Sequence, residues 1–177
     1  MSTGSWLKAH RKQIITHTAI IVGFVLFVIF VAEPLFDRLE KIPGEAQLHQ
    51  LQLPAQTGGM KSYIDELKTI AHTTVEVMGW AFIEGQDSEN NEVYIVLKSS
   101  SRTYVFDTGV RERPDVTRYF AGMGLNLDHS GFVALLPVRK IVNGKYTVGI
   151  YIRKDDVEAL QYTSKVITKS GDTIKTE

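Results

Sequence analysis

The densest cluster of residues that could take part in chemistry is one short segment, residues 107–118, with the sequence DTGVRERPDVTR. It contains three arginines and three acidic residues within twelve positions. A guanidinium group binds a carboxylate or a phosphate through paired hydrogen bonds, so arginines grouped in this way are typical of a site for a carboxylate, a phosphate or a sugar acid. The candidate ligand-binding residues are Arg111, Arg113, Asp115, Arg118 and Tyr119.

A structural interpretation of the same segment is open beside the functional one. In it, Asp115 pairs with a neighbouring arginine, and Pro114 occupies the first position of a single helical turn that ends near Tyr119. An enzyme would need Asp107, Glu112 or Asp115 as a general acid or base, but spacing along the chain gives neither their separation nor their environment. We therefore predict no catalytic residue.

Metal and thiol chemistry has little support in the sequence. The chain has no cysteine, which excludes disulfides, thiolate metal sites and cysteine nucleophiles. The loop at residues 87–92, DSENNE, alternates oxygen ligands as calcium sites do, but it lacks the glycine and the closing glutamate of the helix-loop-helix calcium motif. His49, His72 and His129 have no metal-ligand spacing. We predict neither a metal nor a cofactor.

Aromatic residues offer a second kind of site. Trp80 and several tyrosines could form a platform on which sugar rings stack. Aromatic side chains on strands more often belong to the core, and we interpret Trp80 as a core residue.

The element that would position these residues in the cell is an apolar run near the start of the chain. Residues 14–32, IITHTAIIVGFVLFVIFVA, are uncharged, and a helix of this length spans about 28 Å, close to the hydrocarbon thickness of a bilayer. Lys8, Arg11 and Lys12 precede the run, which is too long for the apolar region of a cleaved signal peptide. We predict a transmembrane helix at 14–32, a cytoplasmic tail at 1–13 and an extracytoplasmic remainder at a cell membrane.

The distribution of charge excludes one class of partner. Three basic residues are the only charged residues in the first 32, and the rest of the chain carries 17 basic and 20 acidic residues. Binding to nucleic acid needs a basic stripe on the binding domain, so we exclude nucleic acid as a partner.

The chain after the apolar run divides into three parts. Residues 33–60 contain several prolines and glycines and are interpreted as a stem or linker, in which the LHQLQL stretch at 48–53 packs either on the domain or on a partner protein. Residues 61–168 show short β-like runs separated by turns, which is typical of an antiparallel β-sandwich of immunoglobulin-like size. The polar tail at 169–177 is expected to be frayed and flexible.

Individual elements can be predicted within the domain. Residues 73–83 alternate so that Val75 and Val77 share one face and Trp80 and Phe82 the other, and apolar residues on both faces indicate a central strand. Further strands are predicted at 92–97, 103–106, 131–136, 145–152 and 159–168.

Two local signals complete the prediction of elements. Asn143-Gly144 is the strongest hairpin turn of the chain, and the strands at 92–97 and 103–106 are predicted to form another hairpin. Residues 63–71 form either a short helix or the first strand, and we favour the helix because Ser62 followed by Glu66 and Leu67 resembles a capped helix start.

Four short motifs are similar to those of a known group of modules. They are Gly79-Trp80-Ala81-Phe82, Arg113-Pro114-Asp115-Val116, Ser130-Gly131-Phe132 and Gly144-Lys145-Tyr146. On these motifs, residues 75–152 resemble the small immunoglobulin-like β-sandwich accessory modules attached to bacterial envelope membrane proteins, including some surface-polysaccharide glycosyltransferases. The resemblance implies an envelope role and supplies no activity that could be transferred to a residue of this chain.

Together these inferences predict a mainly β protein in which one transmembrane helix and a stem precede an immunoglobulin-like sandwich. We expect a non-enzymatic envelope protein, anchored in the membrane, whose sandwich binds a partner protein or a surface glycan as an accessory subunit of an envelope assembly. Two alternatives stay open: an enzyme that acts on envelope polymers through the 107–118 loop, and a purely structural spacer subunit.

Overall fold

The computed structural model describes residues 17, 18, 20–32, 45–71 and 74–177, and the chain divides into two compact units between Pro43 and Gly44. In the first unit, residues 20–27 are α-helical and Val28–Ala32 form a π-helix. Within the described residues, the structure contains no helix with the length and apolar character needed to cross a membrane. The predicted tail at 1–13 and the first part of the predicted stem, 33–44, lie outside the described residues, and the predicted span at 14–32 is described only in part.

In the described part of the second unit, ten strands form two antiparallel sheets. The six-stranded sheet has the order β1-β5-β4-β8-β9-β10 and the four-stranded sheet the order β2-β3-β7-β6. The strands are β1 (Leu48–His49), β2 (Met60–Ala71), β3 (Thr74–Ile83), β4 (Glu92–Lys98), β5 (Thr103–Asp107), β6 (Gly109–Arg111), β7 (Gly131–Pro137), β8 (Gly144–Lys154), β9 (Val157–Ser170) and β10 (Thr173–Thr176). A short helix, α1 (Pro114–Tyr119), follows β6. The prediction of a mainly β fold with antiparallel sheets is confirmed, as are the five further strands and the β4–β5 hairpin.

The inner faces of the two sheets share one hydrophobic core. Val75 and Val77 of β3 are fully buried in it, as are Ile95 of β4 and Ile150 of β8. Burying a branched aliphatic side chain stabilises a fold by roughly 1.5–3 kcal/mol, so the alternating pattern decides which face of each strand turns inward. The central position predicted for this strand is confirmed, since β3 lies between β2 and β7.

The helix favoured at residues 63–71 is wrong, and the alternative of a strand is present: these residues belong to β2, an edge strand that pairs with β3. The register of this pair shifts between Ile64 and Glu66, so Asp65 is the extra residue of a β-bulge. The bulge lets both Ile64 and Leu67 pack against the core. Their spacing of three residues imitates the period of a helix, although it arises within a strand.

Two predictions near the C-terminus are also wrong. Asn143-Gly144 does not join a hairpin, because β7 and β8 lie in different sheets and the 3-10 segment Val138–Lys140 leads from one to the other. Residues 169–177 are not an unpaired tail, because β10 pairs with β9 and Ile174 packs against the core. A polar turn and a polar tail carry no information about which distant strand is the neighbour.

Residues 45–57, assigned to the stem from the sequence, pack on the sheets. β1 pairs with β5, and the Ala46 amide donates a 2.9 Å hydrogen bond to the Leu135 carbonyl. Leu51 and Leu53 cover the outer face of the six-stranded sheet, where they contact a buried cluster of Val96, Val105, Tyr151 and Leu160. The LHQLQL stretch therefore packs on the domain, which is one of the two alternatives left open by the sequence.

Candidate functional site

Helix α1 lies over the outer face of the four-stranded sheet and forms a second, smaller core there. Val116 of α1 is buried together with Phe82 of β3 and Leu127 of the loop before β7, and Trp80 and Phe120 pack against this group at its edge. Two hydrogen bonds hold the helix in place: the Leu127 amide donates to Thr117 Oγ1 (2.9 Å), and Thr117 Oγ1 donates to Asp128 Oδ1 (2.5 Å). The helix is thus fastened to the loop that follows it.

The aromatic side chains beside α1 have fixed orientations. The Trp80 ring stacks on Phe82 with centroids 5.8 Å apart and meets the edge of Phe120 at 5.5 Å. Tyr119 contacts Phe120 edge to face at 4.8 Å, yet 82% of its surface is exposed. Tyr63 pairs with Trp80 across the β2–β3 ladder and is 61% exposed. Large aromatic faces are therefore presented to solvent on a rigid base.

The polar centre of the site is the Arg113 guanidinium, which is held by two carboxylates. Its Nε and Nη2 atoms donate to Asp115 Oδ1 and Oδ2 at 2.9 and 2.8 Å, and its Nη1 atom donates to Asp65. The paired bonds from Arg113 lower the pKa of Asp115 to about 2, and Asp115, followed by Asp65, raises the pKa of Arg113 above its ordinary value. Arg113 and Asp115 are consequently both charged at neutral pH.

Local backbone features bring these three groups together. The β-bulge in β2 adds Asp65 directly after the Ile64–Gly79 pair, two residues from Tyr63, and bulges commonly redirect a side chain in this way. On the other side, Gly131 pairs with Trp80, and a Cβ atom at Gly131 would lie 2.5 Å from Arg113 Cγ. The absence of a side chain at Gly131 thus leaves space for Arg113 to lie against β7.

These residues line one open pocket of about 390 Å³, which we call the aromatic pocket. It is lined by Tyr63, Asp65, Trp80, Arg113, Asp115, Val116, Tyr119 and Phe120. One guanidinium and two carboxylates give it a formal charge of −1. The carboxylate oxygens of Asp115 (54% exposed) and Asp65 (37% exposed) can accept further hydrogen bonds from a ligand.

The structure brings together three of the five predicted site residues. The aromatic pocket is lined by Arg113, Asp115 and Tyr119. Arg111 instead lies on β6, with its Nη1 atom 3.1 Å from Met78 Sδ. Arg118 is exposed on α1 and does not line the pocket. The fork of three arginines expected for an anion is therefore not assembled. Both features of the structural interpretation are present, since Asp115 pairs with Arg113 and Pro114 starts α1.

Sequence reasoning missed the contribution of three residues to the pocket. Asp65 and Tyr63 fall in the segment predicted as a helix, and no sequence signal marks the bulge that exposes them. Trp80 belongs to the small core under α1, as its interpretation as a packing residue implies, but it also lines the pocket.

The acids considered for catalysis do not share a site. Asp107 lines a separate pocket of about 210 Å³ with Asn91, Tyr94 and His129, where it accepts a hydrogen bond from the Gln47 amide. Glu112 is exposed and lines neither of these two pockets.

The loop weighed as a calcium site is held by protein groups. Asp87 Oδ1 accepts from the Asn126 amide at 2.7 Å, and Lys154 Nζ donates to the Asp87 carbonyl at 2.6 Å. Ser88 Oγ accepts from the His129 amide at 3.0 Å. Among the residues that the structure describes, no group of three His, Cys, Asp or Glu side chains is arranged to hold a metal ion.

Comparisons with known proteins assign no relative to this chain. A scan against protein-family models found no match, and searches of curated proteins and of solved structures found none either. The resemblance to envelope accessory modules therefore stays a prediction that depends on the four motifs alone.

Proposed function

We propose that this chain is a non-enzymatic envelope protein, anchored in a cell membrane, whose β domain binds a surface glycan in the aromatic pocket. The observation that carries the proposal is the pairing of exposed aromatic faces with two aspartate side chains on a rigid base. A sugar ring presents an apolar face that stacks on aromatic rings and hydroxyl groups that donate to carboxylate oxygens. The pocket volume also falls within the roughly 300–1,000 Å³ of ligand sites.

We infer further that the β domain is an immunoglobulin-like sandwich. Strand order supports this inference: β2-β3-β7-β6 corresponds to strands A-B-E-D of that fold, and β5-β4-β8-β9 corresponds to C′-C-F-G. β1 and β10 then extend the second sheet at its two edges. In such folds the core lies between the sheets, which leaves the outer faces available for binding.

The proposed mechanism is tethering. The uncharged run at 14–32 and the basic residues before it support an anchor with the β domain on the extracytoplasmic side. An anchored domain meets surface polymers at a high effective concentration, so a weak site becomes useful without further contacts. Protease added to intact cells is expected to remove the β domain, and its full protection would refute this topology.

Glycan binding is tested with the full chain in detergent micelles on an array of bacterial and synthetic glycans. Tyr119→Ala removes an exposed stacking surface that the fold does not bury, so we expect binding to weaken by about three- to tenfold with the melting temperature unchanged. Val157→Ala, at the exposed first residue of β9, is the control and should bind as the natural chain does. Binding that is equal in both variants, or absent for every glycan, would refute the proposal.

A further inference from the structure

The chemistry of the aromatic pocket differs from that expected for an arginine site. Each of the three nitrogen atoms of Arg113 already donates to a carboxylate of Asp115 or Asp65, and its side chain is only 19% exposed. Three of its five N–H groups are thus used within the protein, and an anion at the remaining two would lie beside two carboxylates. The predicted role of Arg113 as a receptor for a carboxylate or a phosphate is therefore opposed by its surroundings.

The groups that a ligand can reach are mainly acceptors of hydrogen bonds. Asp115 and Asp65 are the most exposed charged side chains of the pocket, and an ionised carboxylate has two oxygens that accept and none that donate. A ligand that fits them must supply hydroxyl or amine donors. Because Arg113 holds the pKa of Asp115 near 2, the acceptor character of Asp115 does not change in the neutral or mildly acidic range.

Charge acts in the same direction. Among the residues that line the pocket, two negative groups face one positive group, and Arg118 and Arg111 do not line it. A sugar acid stacked on Trp80 or Tyr119 would place its carboxylate close to Asp115 and Asp65, where like charges repel. An uncharged sugar has no such penalty and keeps the stacking contact.

We propose that the aromatic pocket selects uncharged sugar units, such as neutral hexoses, and rejects uronic and other acidic sugars. The inference rests on the proposed function, since it names the class of glycan bound at the same site. The aromatic side chains bind the ring, and the two aspartates act as specificity-determining residues that accept from its hydroxyl groups. Arg113 is a positioning residue, which orients both carboxylates without contacting the ligand.

Matched pairs of oligosaccharides test this selection. The full chain in detergent is titrated with galactose oligomers and with galacturonic acid oligomers of the same length, and with mannose and mannuronic acid oligomers, at 0.01 M ionic strength. We expect the neutral member of at least one pair to bind ten times more tightly or better. Raising the salt to 0.1 M shortens the screening length from about 30 to about 10 Å and should narrow the difference, because the discrimination is electrostatic.

Exchange of the aspartates gives the sharpest readout. The double variant Asp65→Asn/Asp115→Asn changes the pocket from −1 to +1 and releases Arg113, so we expect the preference to invert in favour of the acidic oligomers. Asp156→Asn removes one negative charge at an exposed turn and is the control that should leave the preference unchanged. Should the double variant fail to fold, Asp65→Asn alone makes the pocket neutral and should reduce the discrimination at least threefold.

The outcomes separate this inference from the proposed function. Tighter binding of the acidic oligomers by the natural chain, or a preference that stays the same in the aspartate variants, overturns the selection while glycan binding stands. No binding of any of these oligomers overturns the selection, and the proposed function is refuted as well when the glycan array is also negative. Neutral preference that is lost in the aspartate variants and kept in Asp156→Asn supports the assignment.

Discussion

Replacing Gly131 with alanine is expected to disturb the sheet and the aromatic pocket together. The new Cβ would lie 2.3 Å from the Arg111 carbonyl oxygen and 2.5 Å from Arg113 Cγ, whereas real contacts are well over 3 Å. β6 would have to move by about 1 Å, and one or two hydrogen bonds of its short ladder with β7 would weaken, at about 0.5–1.5 kcal/mol each. With the overpacking of Arg113, we expect the free energy of unfolding to fall by about 2–3 kcal/mol.

Gly109→Ala provides a matched control for this effect. Gly109 lies in the same β6–β7 pair, but a Cβ there would meet nothing nearer than Val133 Cγ1 at 3.6 Å, which is an ordinary contact. Alanine in a strand also loses less conformational entropy on folding than glycine, so this variant should be neutral or up to about 1 kcal/mol more stable.

The assay is thermal unfolding of the full chain in detergent, followed by circular dichroism of the β domain. For a domain of this size, 1 kcal/mol corresponds to about 4 °C, so Gly131→Ala should melt about 8–12 °C lower and Gly109→Ala no lower than the natural chain. Gly131→Ala should also weaken glycan binding, because Arg113 no longer holds Asp65 and Asp115 in place. Equal melting temperatures for the two variants would show that the close packing of Arg113 on β7 is not a constraint.

Three further predictions concern other parts of the domain. The folded pKa of Asp115 lies near 2, below the value of 3.8 for a free carboxyl, so its contribution to stability is present above about pH 4 and is lost as the pH falls towards 2. Asp115→Asn should therefore make the melting temperature depend less on pH between 4 and 2. A pH profile unchanged by this substitution would contradict the Arg113–Asp115 pair. Ile174→Ala should lower the free energy of unfolding by about 1–2 kcal/mol while Ile70→Ala, at an exposed position, costs little, and no difference between the two would mean that β10 does not pack on the core. Leu53→Ala should cost about 1–2 kcal/mol and Gln52→Ala almost nothing, as measured by urea unfolding, if residues 45–57 are part of the domain.

The sequence was sufficient where a pattern of residues has one local cause. The alternation of Val75, Val77 and Ile83 against Trp80 and Phe82 predicts both faces of β3, because one face of a central strand must enter the core. The same reasoning located β4, β5, β7, β8 and β9. It also anticipated the ion pair and the proline start of α1 as one of two interpretations.

Long-range pairing is the part that local patterns do not contain. Asp65 is the extra residue of the bulge in β2 and contacts Arg113, which lies 48 positions further along the chain. Asn143-Gly144 has the chemistry of a hairpin turn, yet the Asn143 side chain accepts from the Gly171 amide and the flanking strands lie in different sheets. The partners of each strand are set by the packing of the whole core.

Gly79 and Gly131 show which residues support the aromatic pocket, as distinct from the residues that would contact a ligand. A Cβ at Gly79 would lie 2.1 Å from the Tyr63 carbonyl oxygen and 2.8 Å from Phe132 Cζ, so Gly79 allows β2 and the Phe132 ring to approach β3. Gly131 does the same for Arg113. Three of the four motifs therefore form one packing unit, in which each of the two glycines makes space for a large residue of another motif.

The ligand-facing residues lie mostly outside these motifs. Tyr63, Asp65 and Tyr119 are exposed, and the packing unit does not need their side chains for its own core. The packing unit can keep its structure while these exposed residues change. Domains that share the motifs are thus expected to share the packing unit and the Arg113–Asp115 pair. They are expected to differ in which sugar they bind, according to the residues at positions 63, 65 and 119.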